Sequence, residues 1–244
     1  MGSPAFILSF IVVYNYFALS LGPRLMKNRA PFSIRPVILA YNALIAIMSV
    51  YFVVTMLQLT YLRGTFAGQK GLPPYSVFCE GTDNSSNGIP FLRHMWLFML
   101  VKVTEMLDTV FFVLLKKDDH ITNLHIAHHT IALWTAWFQV NNGVTGQGAL
   151  FPVLNSAAHA VMYTYYGLSA LPSSLRPNLW WKKYVTLILI LQVIVLTVHG
   201  AIPLLYDCGF PRAIACLMVM ETGLFTCLFS CFYYNHHIRL RKDD

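Results

Sequence analysis

Apolar residues in this chain gather into seven long runs, near 5–21, 37–62, 91–115, 123–140, 149–171, 181–205 and 212–234, instead of alternating with polar ones. A helix that crosses ~30 Å of hydrocarbon needs about 20 predominantly apolar residues, so each run predicts a spanning helix. With 57% of 244 residues hydrophobic and only 11% charged, the chain is not composed like a soluble domain. The expectation is an all-α membrane protein of seven transmembrane helices forming one domain over 1–244. Breaker clusters at Gly22-Pro23, Gly71-Leu72-Pro73-Pro74, Asn141-Asn142-Gly143, Pro172-Ser173-Ser174 and Gly209-Phe210-Pro211 separate most of the runs. The run from Ala5 to Leu21 has no charged flank before it and no clear small-residue cleavage site after it, so it reads as the first span and not as a secretory signal.

The formal net charge of +7 marks the cytosolic side of such a protein and does not point to a nucleic-acid partner. Twelve of the 17 Lys and Arg fall on one set of loops and the C-terminal tail: Arg24, Lys27, Arg29, Arg35, Lys116, Lys117, Arg176, Lys182, Lys183, Arg239, Arg241 and Lys242. The opposite side holds Arg63, Lys70, Arg93 and Arg212, and Lys102 lies within a span. Short basic loops stay cytosolic, which places the C-terminus in the cytosol and, after seven crossings, the N-terminus in the lumen. Asn84-Ser85-Ser86 is a glycosylation acceptor in a loop on the lumenal side. Cys79 and Cys208 are on that oxidising side too, and can either form a disulfide between two loops or remain two thiols. Cys216, Cys227 and Cys231 in the last run read as packing residues.

Polar groups inside the runs are expensive in lipid and therefore candidates for function. His125, His128 and His129, at i, i+3 and i+4, cover about 100° of arc and look out from one helix face. The third run sets Lys102, Glu105, Asp108 and Thr109 on one stripe, either as a structural ion pair or in support of the histidines; Asp108, nearest the cytosolic end, is the carboxylate expected at a histidine. The fifth run aligns Asn155, His159, Met162, Tyr163 and Tyr166, with Tyr165 further round, and the sixth carries Thr186, Gln192 and His199. At 1.5 Å per residue, Asp108, the three clustered histidines, His159, Tyr163, Thr186 and Gln192 all lie within about 18 Å of the cytosolic helix ends, as one chamber open to the cytosol requires.

Three histidines at this spacing suit a metal ion. Membrane di-iron desaturases share such a box but need further histidine boxes, and His94, His120, His199 and His236-His237 are scattered. A single zinc on the cluster stays open. Without a metal, a neutral imidazole serves as base or nucleophile, Asp108 or Glu105 can hold a ring in one tautomer, and Asn155, Tyr163 or Gln192 can donate to a developing oxyanion. Acyl transfer involving a lipid-like substrate fits these parts best.

Several stretches together resemble the very-long-chain fatty-acid elongase family, 3-oxoacyl-CoA synthases of the endoplasmic reticulum membrane. They are Gly22-Pro23-Arg24-Leu25-Met26 with Asn28-Arg29-x-Pro31-Phe32, Lys102-x-x-Glu105-x-x-Asp108-Thr109, Lys116-Lys117 leading into Leu124-His125-x-x-His128-His129, Asn155-x-x-x-His159-x-x-Met162-Tyr163-x-Tyr165-Tyr166, and Lys182-Lys183-Tyr184-x-Thr186. The resemblance implies condensation of malonyl-CoA with a long-chain acyl-CoA to 3-oxoacyl-CoA, CoA and carbon dioxide, with no resident cofactor and no metal. By the same resemblance His128 takes the acyl group, His159 assists decarboxylation and condensation, and His125, His129, Asp108 and Glu105 position the reacting groups. Lys102 ties the third helix into that network, and Asn155, Tyr163, Tyr166, Thr186 and Gln192 meet substrate. Lys116, Lys117, Arg176, Lys182 and Lys183 either meet CoA phosphates or only enforce topology.

The resemblance also implies as partners the 3-oxoacyl-CoA reductase, 3-hydroxyacyl-CoA dehydratase and enoyl-CoA reductase of the elongation cycle, and it admits a homodimer. This chain departs from the family pattern at Leu189, where Gln is expected, at His120 and Asn123 for Gln and Phe, at Leu115 for Arg, and in Cys231-Phe232-Tyr233 and His237. Arg241-Lys242-Asp243-Asp244 only weakly resembles a dilysine retrieval signal. A zinc-dependent seven-helix lipid hydrolase and a seven-helix receptor are the alternatives; stoichiometric zinc would mark the first and ligand-driven signalling the second.

Overall fold

The computed structural model describes residues 3–65 and 71–239, and all regular structure among them is helical. Lys70 and the Arg241-to-Asp244 tail lie outside the described residues. The helices are α1 (Pro4–Tyr16), α2 (Gly22–Met26), α3 (Arg35–Leu59), α4 (Ile89–Glu105), α5 (Leu107–Leu114), α6 (Asn123–Asn141), α7 (Leu150–Ala170), α8 (Lys182–Leu205) and α9 (Arg212–Tyr233). Among the described residues four stretches are long and apolar enough to cross a membrane: Pro4–Met26, Arg35–Leu59, Lys182–Leu205 and Arg212–Tyr233. The chain is thus a multi-pass membrane protein. The other three expected runs are helical too: the third is divided into α4 and α5, of 17 and 8 residues, while α6 and α7 are long enough but carry polar side chains that lower their hydropathy, the histidine cluster and Gln139 in α6 and Asn155, Ser156 and His159 in α7.

Two expectations about the runs are corrected. Gly22-Pro23 does not end the first helix, because a π turn at Phe17–Leu21 carries the chain into α2 as one continuous stretch. The wider turn pairs the Gly22 N–H with the Phe17 carbonyl, five residues back, and makes room for a proline that cannot donate. Gly22 is also where α5 comes close, since a Cβ there would stand 3.0 Å from Val113 Cγ1. The third run is not one helix but two: at Met106 the backbone tightens to three-residue bonds, Met106 N–H to Val103 O and Thr109 N–H to Met106 O, at 3.2 and 3.3 Å.

α3 packs along α7, α8 along α9 and α4 along α6, with α7 against α8 and α6 against α9 closing the bundle. The largest core cluster joins Phe52 and Met56 of α3, Phe91, Met95 and Phe98 of α4, and Leu133 and Ala136 of α6. Outward, Val12, Ile47, Leu191, Val198 and Met220 are exposed, a face that suits lipid and would be a liability in water. At one end of the bundle the loops are fastened together. Cys79 and Cys208 are disulfide-bonded with Cα atoms 5.8 Å apart, Gln147 Nε2 donates to His199 O at 2.8 Å, and the Glu80 N–H donates to Gln147 Oε1 at 3.0 Å. Gly146, at φ +55°, lies so close to Gly81 O that no side chain fits there. Asn84 is exposed on this loop surface.

Candidate active site at the histidine cluster

The site begins at the junction between α4 and α5. The tightened turn at Met106 sends neighbouring polar side chains to different partners. Glu105, in the last turn of α4, accepts from Lys102 Nζ with both oxygens at 2.9 Å and lies 3.1 Å from His159 Nδ1 of α7. Lys102 Nζ is also 3.4 Å from that nitrogen. Nδ1 cannot donate to Glu105 and accept from Lys102 in one tautomer, and the shorter contact to a carboxylate is the better bond. It places the proton on Nδ1 and leaves Nε2 as the basic nitrogen of His159. All three residues are buried, and Glu105 supplies the neighbour that Lys102 requires at this depth.

Asp108 does not support a histidine: its Oδ2 accepts from Tyr163 OH at 2.7 Å. The reason is the break at Met106, because the straight helix that would have aimed Asp108 at the cluster is absent. Thr109 takes that place, 2.8 Å from His125 Nε2 and 2.7 Å from Tyr14 OH of α1.

α6 starts where Thr122 caps it, its hydroxyl accepting from the His125 N–H at 3.1 Å. That cap fixes the register of the three histidines. The His125 and His129 ring centroids are 4.4 Å apart, and His128 and His129 are 5.5 Å apart. The His128 ring faces His159 at 6.0 Å, and Phe225 and Phe229 of α9 close its other side at 5.5 and 5.9 Å. His128 and His159 are therefore neighbours on one wall, the His159 ring held by a carboxylate and the His128 ring by ring contacts. Among the described residues no group of three or more His, Cys, Asp or Glu has the arrangement of a metal site.

These groups line a cavity of 1520 Å³ that reaches His125, His128, His129, His159, Asp108 and Tyr163. Tyr166, Thr186, Lys117, Arg176 and Lys182 line it as well, as does Leu189. Glu105 and Lys102 stand behind His159, outside the lining. Asn155 and Gln192 line a separate small cavity beyond His128. Lys116 is not available to the chamber: it closes α5 at φ 54°, and its ammonium donates to Lys27 O and Arg29 O, tying down the segment after α2. Lys183 lies over the Tyr184 ring, at 4.9 Å, and does not line the cavity. His120, at the rim, has its pKa held below the usual value by burial and by Lys117.

Sequence reasoning missed Tyr14, Asn42, Arg35 and Glu221. Arg35 and Asn42 line the large cavity. Glu221 of α9 lines the small one and accepts from Thr135 Oγ1 at 2.6 Å. A lone carboxylate in an apolar run is a signal that the sequence carried for Glu221; Tyr14 sits among ordinary core residues and gave none.

The family model described as ELO: GNS1/SUR4 family matches residues 1–244. Over 246 residues the chain is 38% identical to "Very long chain fatty acid elongase 1" of Mus musculus, covering 99% of this chain and 85% of that protein. It is 35% identical to the Homo sapiens protein of the same name, with the same coverage. To "Very long chain fatty acid elongase 7" of Rattus norvegicus it is 37% identical over 231 residues, 93% of this chain and 79% of that protein.

Proposed function

The chain belongs to the ELO: GNS1/SUR4 family, and from that premise we propose that it is a very-long-chain 3-oxoacyl-CoA synthase. In this reading a His128 nitrogen attacks the thioester carbon of a long-chain acyl-CoA, the carbon–sulfur bond breaks, and CoA leaves with the proton. Malonyl-CoA then loses carbon dioxide, and the resulting carbanion attacks the acyl carbon and breaks its bond to the imidazole, which takes a proton from solvent as 3-oxoacyl-CoA forms. His159, with its proton held on Nδ1 by Glu105, assists decarboxylation and condensation. Asp108, His125 and His129 position the reacting groups, and Tyr163, Tyr166 and Thr186, on the chamber wall, meet substrate. Lys117, Arg176 and Lys182, at the cavity wall, meet CoA phosphates. The reaction so written uses no resident cofactor.

The observation that carries this reading is the proximity of His128 and His159 at 6.0 Å on the wall of a chamber large enough for an acyl-CoA. The same reading takes 1–244 as one domain crossing the endoplasmic reticulum membrane seven times, with the N-terminus lumenal and the C-terminus cytosolic. It makes the reductases and the dehydratase of the elongation cycle its partners and allows a homodimer. The test is purified protein given labelled malonyl-CoA and a panel of saturated and unsaturated long-chain acyl-CoAs. Labelled 3-oxoacyl-CoA two carbons longer than its primer is expected from at least one; no product from the whole panel overturns the assignment.

A further inference from the structure

Beyond His128, away from the main chamber, lies a second cavity of 20 Å³ walled by His128, Asn155, Gln192, Glu221 and the rings of Phe225 and Phe229. A water needs roughly 10–15 Å³ and two to four polar partners, so this cavity has the size and the lining for bound water and is too small for an alkyl chain. Its wall contains acceptors that the protein leaves without partners: Asn155 Oδ1 and Gln192 Oε1 are buried and make no hydrogen bond, in side chains only 4% and 7% exposed. Glu221 uses Oε2 to accept from Thr135 at 2.6 Å, which fixes where its carboxylate stands. Thr135 follows His128 by seven residues, two turns along the same face of α6. His128 itself is held by ring contacts alone. A nucleophilic imidazole needs the proton on its second nitrogen held by an acceptor, or part of its population is in the wrong tautomer.

We propose that this cavity binds water and that Glu221, through that water, is the positioning residue that orients His128 for attack. One water in the cavity accepts from one His128 N–H and donates its two hydrogens to Glu221 and to one of the two unpaired amide oxygens. The proposal rests on the acyl-imidazole reading above and adds to it a residue outside the reacting groups.

The test measures CoA released by acyl-CoA without malonyl-CoA, in a single turnover at saturating substrate. Glu221→Leu is expected to slow this acylation about tenfold or more, the scale of an orienting second partner, with the KM for acyl-CoA within about twofold of the original. Glu221→Gln, whose amide oxygen still accepts from water, should fall between the two. Thr135→Val frees the carboxylate without removing it and should slow the same step about threefold. Original rates in Glu221→Gln and Thr135→Val overturn the proposal even if Glu221→Leu does not fold. A raised KM with an unchanged rate also overturns it, and makes Glu221 part of the acyl-chain wall. If the unaltered protein releases no CoA, the acyl-imidazole reading itself falls; release that is indifferent to Glu221 sinks only this inference.

Discussion

The two ends of the bundle join their polar side chains in different ways. At the disulfide end most bonds run between side chain and backbone: Arg63 donates to Leu59 O and Asn87 O, Gln147 to His199 O and Phe78 O, and the Asp83 N–H donates to Thr145 Oγ1, with one side-chain cluster of Arg63, Tyr75, Asp83 and Ser85. At the histidine end they run from side chain to side chain: Lys102 to Glu105 within α4, and between helices His159 to Glu105, Tyr163 to Asp108, and Tyr14 through Thr109 to His125. Side chain to side chain bonds are only about 10–15% of those in ordinary proteins. A bond to backbone fixes the course of a loop, which is what the disulfide end needs. A chain of side-chain bonds around a 1520 Å³ cavity fixes the orientation of chemical groups instead. The comparison therefore separates polar residues that hold the fold from those that hold the reaction.

The sharpest break between the two ends is His128→Ala. His128 has ring contacts and no side-chain hydrogen bond to lose, so thermal stability should stay within a few degrees while CoA release from acyl-CoA falls about a thousandfold or more. A retained burst of CoA would remove His128 as the nucleophile. Lys102→Met tests the reverse case at the same end, because it leaves Glu105 buried without its cation. A loss of about 3–5 kcal/mol is expected, read as a lowered unfolding midpoint in detergent. Adding Glu105→Leu should restore much of that stability and none of the activity, since His159 then has no carboxylate. If both recover together, the network is structural only.

At the other end, replacing Cys79 and Cys208 by Ser opens a link between residues 129 apart in sequence. Stability should fall by about 2–4 kcal/mol, while turnover per folded molecule stays within about twofold of the original. A selective loss of turnover would mean that the disulfide end reaches into the chamber.

Most of the helices were legible because length and hydropathy alone decide them: α3, α6, α7, α8 and α9 begin and end within three residues of their apolar runs. The departures came from backbone events that hydropathy does not register, the π turn before Pro23 and the tightening at Met106. Those events decide partners, so the site was legible as a list of residues and not as a set of pairs. Asp108 turns to Tyr163 and leaves the histidine to Glu105 for that reason. Lys116 was out of reach of sequence reasoning as well, since only the left-handed close of α5 turns its ammonium onto Lys27 O and Arg29 O. Glu221 is a different case: its identity was visible in the seventh run, but its relation to His128 depends on how α6 and α9 meet.

The smallest expected effect belongs to Asp83, at the disulfide end. Burial pushes its carboxyl pKa up, but hydrogen bonds from Ser85 and the Arg63 guanidinium, 3.2 Å away, outweigh that and hold it below the usual carboxylate value. A folded-state pKa that is depressed contributes stability above the unfolded value of 3.8 and loses it as pH falls through the folded one. Asp83→Asn keeps an acceptor for Ser85 and removes the charge that faces Arg63. The variant should therefore unfold more easily than the original at neutral pH, and the gap between their unfolding midpoints should close as the pH is taken below about 4. Because the carboxylate stands partly in solvent, salt should narrow the gap at neutral pH as well. Turnover should not change, as Asp83 joins no group of the chamber. A gap that is constant in pH and salt would show that shape and not charge holds this loop, and the disulfide end would then differ from the histidine end in having no electrostatic part at all.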